Sequence, residues 1–385
     1  MNEREILIDV SRLVWRLWRG GLPTGIDRVC LAYVDHFRSR AQAVVQRGGR
    51  YYIFTPGHSD KVFDLFLRGS DGFRRRFATL AALAFPMARA MPKRRGLLYL
   101  NIGHTGLDEP TLVQWISRAE LRAIYFIHDL IPLLHPEFCR AGEEAKHLKR
   151  MTNVLASASG LIGNSAATIA DVASFAAAGE LPMPPSVAAW IAGPAAPPDV
   201  QPRRFDRPHF VIVGTIEARK NHALLLYVWQ RIVAELGDAA PLLVIVGQRG
   251  WEADQATALL DRAPDLEGHV IELGKSDDRE LAGLIAGARA LLMPSLAEGF
   301  GLPVAEALEL GTPVIASHLP VFREFADDIP TYVDRLDGPA WRKTILDFVE
   351  DSPERRRQLT AMRNFVAPDW ATHFQIVEGW IQTLP

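Results

Sequence analysis

Cysteine is scarce in this chain: Cys30 and Cys139 are the only two. They are far apart and fit no metal-ligand spacing. That excludes a disulfide framework and a zinc module, and points to two free thiols in a reducing compartment. Net charge is slight, −2 at pH 7, from 43 basic and 45 acidic residues. So even a balance gives the whole molecule no pull on nucleic acid, and no nucleic-acid partner is expected. Long apolar runs are missing too. No stretch approaches the roughly 18 uninterrupted apolar residues that cross a bilayer. The first residues run from Glu3-Arg4-Glu5 straight into Ile6-Leu7-Ile8-Asp9-Val10 without the apolar core of a signal peptide. A cytoplasmic location is expected. There is no internal repeat and no low-complexity tract. No Asp-x-Asp pair stands at a strand end, so no metal or other cofactor is expected.

What is present is ordinary globular material, 385 residues with 48% hydrophobic and 23% charged side chains. That length suggests two or three domains. Short apolar runs alternate with helical stretches, the pattern of a parallel α/β architecture. Strands are expected at 5–10, 51–55, 96–101, 123–127 and 160–163 in the first half. In the second half they are expected at 209–213, 242–246, 269–273, 290–293 and 313–316. The proline-rich stretch 181–199 reads as a linker between two Rossmann-like domains, 1–197 and 198–364. Ligands in such sheets bind beyond the carboxyl ends of the strands. In the tail, 365–385, Phe374, Val377, Trp380 and Ile381 recur at helical spacing.

One segment carries more chemistry than any other. Glu298-Gly299-Phe300-Gly301 is a turn whose two glycines let the backbone bend and approach a ligand closely. Pro303 then suits the start of a helix, and Gly311 its end. A helix opening after a glycine turn at a strand end offers unpaired N–H groups to an anion. Two carboxylates flank it, Glu298 in the loop and Glu306 in the expected first helical turn. Carboxylates beside an anion site make sense for a nucleotide sugar. The amides take the diphosphate, and the carboxylates accept from sugar and ribose hydroxyls.

The spacing of Glu298 and Glu306, the Gly299-Phe300-Gly301-Leu302-Pro303 insert and the downstream Gly311-Thr312-Pro313-Val314 resemble the Glu-x7-Glu motif of retaining GT-B glycosyltransferases of family 4 (glycosyl transferases group 1). The resemblance extends over nearly the whole chain, and is closest to bacterial polysaccharide mannosyltransferases. It implies two facing Rossmann-like domains with the site in the cleft between them, and a last helix crossing back to the first domain. It also implies a nucleotide-sugar donor, GDP-mannose foremost with UDP-sugars open, and a polysaccharide or lipid-linked glycan acceptor.

Other segments fit the same resemblance. In Gly214-Thr215-Ile216-Glu217-Ala218-Arg219-Lys220-Asn221 a basic pair follows a strand, which suits a diphosphate leaving group. Lys220 falls on the family lysine that contacts the diphosphate. The family arginine position is Thr215 here, which leaves open whether Arg219 supplies the second charge. His128-Asp129 ends a strand and resembles the family's His-Asp segment. His128 is then placed beside the transferred sugar, with Asp129 able to orient or charge the ring. His135 and Glu137 shape the following loop. Gly20-Gly21 through Gly25 resembles the first glycine-rich loop, near donor phosphate and acceptor. Gly163-Asn164-Ser165 matches an acceptor-side segment, and a plain helix cap explains it nearly as well.

The implied roles are these. Lys220, Arg219 and the amides of Gly299, Phe300, Gly301 and Leu302 neutralise the departing diphosphate. Glu298 holds sugar hydroxyls, Glu306 the ribose, and Gly25 approaches the donor. Catalysis rests on His128, Glu298 and Lys220.

Residues 68–95 hold Arg68, Arg74, Arg75, Arg76, Arg89, Lys93, Arg94 and Arg95 against Asp71 alone. Between the basic clusters lies an apolar stretch. Either an anionic membrane surface on the inner face of the cell membrane is bound here, or this is a surface helix with basic ends, and Pro86 is expected to interrupt it. Three other functions remain to be weighed. A glycosidase also uses two carboxylates, about 5–9.5 Å apart, but has no use for phosphate-binding features between them. A GT-B nucleotide-sugar epimerase and a non-catalytic subunit of a polysaccharide assembly complex are the alternatives.

Overall fold

The structure, a computed structural model, describes residues 4–20, 24–69, 72–274 and 276–384. The chain divides into two compact units. Unit 1 is Met1–Leu130, Glu144–Ala189 and Phe374–Pro385; unit 2 is Ile131–Glu143 and Trp190–His373. The boundary thus falls between Ala189 and Trp190, and again inside the last helix, Trp370–Ile381.

Unit 1 is built on seven strands: β1 (Ile6–Asp9), β2 (Ala41–Arg47), β3 (Arg50–Ile53), β4 (Leu98–Asn101), β5 (Arg122–Ile127), β6 (Gly160–Gly163) and β7 (Ser186–Ala188). Their order in the sheet is β3-β2-β1-β4-β5-β6-β7. All neighbours run parallel except β2 and β3, which form an antiparallel hairpin. Strands buried on both faces need near-continuous apolar runs, and Leu7, Ile8, Leu100, Ile124, Phe126 and Ile162 supply them. Phe374 in the last helix stacks on His36 at 3.8 Å and meets Tyr33 edge-on at 5.0 Å. Trp380 lies so close to Gly160 that a Cβ there would sit 2.6 Å from its ring.

Unit 2 has six parallel strands: β8 (His209–Val213), β9 (Leu242–Val246), β10 (Val270–Leu273), β11 (Leu291–Met293), β12 (Val314–Ser317) and β13 (Thr331–Val333). Their order is β10-β9-β8-β11-β12-β13. This is the doubly wound arrangement, whose direction reverses between the two central strands β8 and β11 and leaves a crevice at their carboxyl ends. The helix His222–Leu236 lays Leu225, Leu226, Trp229 and Ile232 against the sheet, all fully buried. Trp229 also donates to Pro241 O at 2.9 Å, so its polar edge is satisfied inside the core.

The fold agrees with the α/β expectation, and three local readings change. The stretch 181–199 is not all linker, because β7 lies within it and pairs with β6. Pro86 does not interrupt the helix Phe73–Met87. It is the next-to-last residue, and the helix ends one residue later. The helix expected to begin at Pro303 begins at Leu302, with Pro303 second. Glu306 is therefore its fifth residue and opens the second turn.

Candidate functional site

In unit 2 the loops that follow β8 and β11 meet at the reversal point. Gly214 has φ 138°, and a Cβ there would lie 3.2 Å from Lys220 Cε. The glycine therefore both permits the turn and leaves room for the lysine. Thr215, at the family arginine position, packs instead beside Gly250, where a Cβ would lie 2.5 Å from its methyl group. The loops are then tied together by backbone and side chain. Leu296 N donates to Arg219 O at 2.7 Å, and Asn221 Nδ2 donates to Arg335 O at 3.0 Å and to Pro294 O at 3.3 Å.

Glu298 is the centre of this arrangement. Lys220 Nζ donates to its Oε1 at 2.6 Å, Ser295 Oγ to the same oxygen at 2.7 Å, and Arg219 Nη1 to Oε2 at 2.8 Å. Arg219 also pairs through Nε with Glu217 Oε1 at 2.7 Å. The side chains of Lys220 and Glu298 are only 9% and 6% exposed. Burial works to raise the Glu298 carboxyl, but Lys220, Arg219 and Ser295 outweigh it and hold the group at about 2. Burial draws the Lys220 ammonium down from its usual range, against the pull of Glu298. Burial also pushes Glu217 up, opposed by Arg219 and Lys220. With contacts this short and two cations on one carboxylate, Glu298 is ionised. Two acids balance two cations.

The rest of the Glu298 loop is shaped by packing. Gly301 has φ 100°, and a Cβ there would lie 2.3 Å from the Phe322 ring. Phe300 is buried and stacks on Phe325 at 4.8 Å, so it offers a ligand its backbone rather than its ring. Gly299, Phe300 and Gly301 lead into the helix Leu302–Glu309, which opens with Leu302. Glu306 is directed elsewhere than Glu298: a Cβ on Gly193 would be 2.9 Å from its Oε1.

His128 lies in unit 1, just beyond β5. It is buried, and its Nε2 is 2.8 Å from Ile102 O. A carbonyl only accepts, so Nε2 carries the proton and Nδ1 is the acceptor of the neutral ring. Burial pulls the ring down to about 4, although Ile102 O and Asp129 work to raise it. Asp129 therefore does not charge the ring, because desolvation outweighs it. Asn164 Nδ2 donates to His128 O at 2.8 Å, and Ser165 caps the following helix by accepting from Thr168 N at 3.0 Å. Gly25 opens the helix Gly25–Phe37. Asp27 accepts from Thr24 N and from Arg12 Nε, both at 2.7 Å. Gly21, in the same expected loop, is outside the described residues, as is Asp71. His135 and Glu137, grouped with unit 2, form a loose pair at 3.4 Å.

Sequence reading missed the polar layer around His128. The His104 ring lies 5.0 Å from it, with Nε2 2.7 Å from Phe126 O. Nearby, the buried Asp9 accepts from Gln46 Nε2 at 2.6 Å and from Tyr99 OH at 2.9 Å. Gln46 also donates to Thr105 O at 3.0 Å. The available signals were Asn101-Ile102-Gly103-His104 at a strand end and three polar residues, Asp9, Gln46 and Asn101, in otherwise apolar strands.

Residues 198–364 match the family model described as glycosyl transferases group 1. The serotype-specific mannosyltransferase WbdA of Escherichia coli is 28% identical over 86% of this chain and 41% of its own length. The chain thus spans about two fifths of that relative. The O-antigen chain mannosyltransferase B of Escherichia coli is 37% identical over 37% of each chain. Among solved structures, Anabaena Alr3699/HepE in complex with UDP and glucose aligns with TM-score 0.65 and 16% identity, over 98% of this chain and 99% of the other. The sucrose-phosphate synthase of Thermosynechococcus elongatus aligns with TM-score 0.64 and 14% identity, over 98% of each. The two doubly wound units are the GT-B fold, and residues 198–364 are similar to the glycosyl transferases group 1 family.

Proposed function

We propose that this chain is a retaining glycosyltransferase that moves mannose from GDP-mannose to a growing polysaccharide or lipid-linked glycan. The observation that carries the reading is the Arg219–Lys220–Glu298 cluster beyond β8 and β11. In it an arriving diphosphate competes with Glu298 for the two cations. Lys220 has three donors and gives one to Glu298, so it can hold both at once. As the glycosidic bond breaks, negative charge grows on the diphosphate while the sugar becomes cation-like. Lys220, Arg219 and the amides of Gly299, Phe300, Gly301 and Leu302, turned to the diphosphate as the donor binds, stabilise that charge. Glu298, eased from its cations, accepts from sugar hydroxyls, and Glu306 accepts from the ribose. His128 presents Nδ1 to a sugar hydroxyl as a neutral acceptor, and Gly25 gives the donor a close backbone approach. These cations take the place of a metal ion. Mannose as the sugar rests on the names of the mannosyltransferase relatives.

A thermal-shift panel of UDP, GDP, ADP and their sugars tests the donor. GDP and GDP-mannose should raise Tm most, because only a ligand that prefers the native state stabilises it. A larger shift with UDP-sugars would replace the donor. Transfer of labelled mannose with an α-linked product tests the reaction. Free epimerised sugar formed without acceptor would favour the epimerase, and nucleotide binding without turnover would favour a non-catalytic subunit.

We also propose peripheral attachment to an anionic inner membrane face through residues 68–95, with the helix Phe73–Met87 as the part that meets the surface. Leu83 and Met87, four residues apart on that helix, are each 60% exposed, and Arg75 and Arg76 lie exposed in its first turn. Changing Arg74, Arg75 and Arg76 to Glu should release the protein from anionic vesicles at moderate salt, since each basic group near such a surface contributes about 1 kcal/mol. Equal binding by variant and parent would remove this attachment.

A further inference from the structure

Unit 1 contains a cavity of about 290 Å³ at the end of its sheet opposite His128. It lies where β1, β2 and β4 begin and the antiparallel β3 ends. Its floor is apolar: Leu7, Ile53, Phe54 and Leu97 are all buried. Its rim is basic, with Arg4, Arg89, Lys93 and Arg94, and among the described residues no acid lines it.

The four cations are not equivalent. Arg4 is fully engaged: Nη2 donates to both oxygens of Asp60 at 2.7 and 2.8 Å, and Nη1 donates to Ala41 O at 2.8 Å. It is part of the wall. The side chains of Arg89 and Lys93 make no hydrogen bond or ion pair among the described residues. Yet their segment is held firmly. Arg89 exchanges two backbone hydrogen bonds with Ile53, at 2.8 and 3.0 Å, and Trp115 Nε1 donates to Ala90 O at 2.8 Å. A fixed backbone thus carries two uncompensated cations at the mouth of an apolar hollow.

The polar groups of the wall point to the kind of occupant. Thr55 Oγ1 is taken by His58, and Gln42 Nε2 by Phe54 O at 2.6 Å. Little is left to receive sugar hydroxyls. The lone aromatic, Phe54, is fully buried and offers no face to a base. A nucleotide sugar therefore does not suit it. What fits is a negative head on the rim with methylenes on the floor. Met91, which lines the cavity and is 42% exposed, extends the apolar surface outward.

We propose that this cavity binds a single anionic amphiphile, an alkyl or prenyl phosphate, with its phosphate on Arg89 and Lys93 and the first part of its chain on Leu7, Ile53, Phe54 and Leu97. This is a separate matter from the transfer reaction and from surface attachment by the helix Phe73–Met87.

The test is titration calorimetry of the full chain with decyl phosphate below its micelle concentration. Binding should saturate at one molecule per chain and tighten from hexyl to octyl to decyl phosphate. Arg89→Glu with Lys93→Glu should weaken it on the order of a hundredfold, since two charge-assisted contacts become repulsions. Both side chains are exposed and unpartnered, so the double variant should keep the parent's circular dichroism. Lys220→Ala, and the vesicle variant of Arg74, Arg75 and Arg76, should bind decyl phosphate as the parent does. That separates failure here from failure of either earlier proposal. Binding of decyl maltoside as tight as decyl phosphate, of inorganic phosphate as tight, or of the double variant as tight as the parent would each overturn the site.

Discussion

In unit 1 the side chains beyond β1, β4 and β5 include two neutral histidines, whereas in unit 2 those beyond β8 and β11 meet as ions. The two sheets share a winding order, so the difference lies in the loops. His104 and His128 give their Nε2 protons to backbone carbonyls, and burial pulls both rings below the usual histidine range. Glu298 faces two cations, which hold it ionised despite the same kind of burial. A neutral, hydrogen-bonding surface suits hydroxyls. An ion cluster whose members can change partner suits a leaving group whose charge grows. One architecture thus carries two chemistries, set by whether a buried group is given a counter-charge or only a carbonyl.

The strongest way to break this contrast is to remove the charge. Lys220→Ala should lower transfer by about 10²-fold, because a charge-assisted contact is lost where negative charge develops. Arg219 still pairs Glu298, so the variant should fold. Near-normal turnover would move the diphosphate role to Arg219.

The two carboxylates should differ in kind. Glu298→Gln loosens both cations and, on the proposed role, weakens the hold on the reacting sugar, so it should lower kcat by about tenfold or more. Glu306→Gln should instead raise the donor KM by about tenfold, a uniform loss of binding. Kinetics at saturating acceptor separate the two. If Glu306→Gln abolishes turnover with donor affinity intact while Glu298→Gln is mild, the roles are reversed.

Acid should sharpen the comparison further. The folded value of His128, about 4, lies below its usual 6.5, so its contribution is full above 6.5 and is lost as pH falls through about 4. Glu298, at about 2 against a usual 4.5, keeps its contribution above 4.5 and loses it as pH falls through about 2. Each is worth about 3 kcal/mol at most. Between pH 7 and 4.5 the histidine is therefore in play and the glutamate is not. Urea unfolding across that range should show a shallower loss for His128→Asn than for the parent, and an unchanged slope for Glu298→Gln. Equal slopes in all three would contradict the assignment.

The ionic half was far more legible in the sequence than the neutral half. Glu298, Arg219 and Lys220 stand in compact segments with glycine turns, and the strands before them are unbroken apolar runs. Their mutual pairing was not legible, because Lys220 and Glu298 are 78 residues apart and only the sheet order brings them together. The neutral half is dispersed. Gln46 reaches Asp9 and Thr105 across 37 and 59 residues, and none of the three belongs to a motif. β2 itself was missed because Gln42 and Gln46 interrupt its apolar run. β7 was hidden inside a proline-rich stretch, where edge position tolerates what a central strand does not.

The smallest expected effect is none at all. Activity should persist in excess EDTA if, as proposed, Lys220 and Arg219, held 2.6 and 2.8 Å from the oxygens of Glu298, supply the charge that a divalent ion would place on the diphosphate. Those cations are gathered before the donor arrives, so donor binding has only to turn them from Glu298 toward the diphosphate before the bond breaks. A metal would also have to compete with two cations for Glu298. The assay compares turnover before and after chelation, then after Mg²⁺ or Mn²⁺ is restored. Complete loss with EDTA and recovery with metal would mean that the side-chain cations alone do not suffice. The contrast between the Glu298 ion cluster and the two neutral histidines would then need an ion supplied from solution.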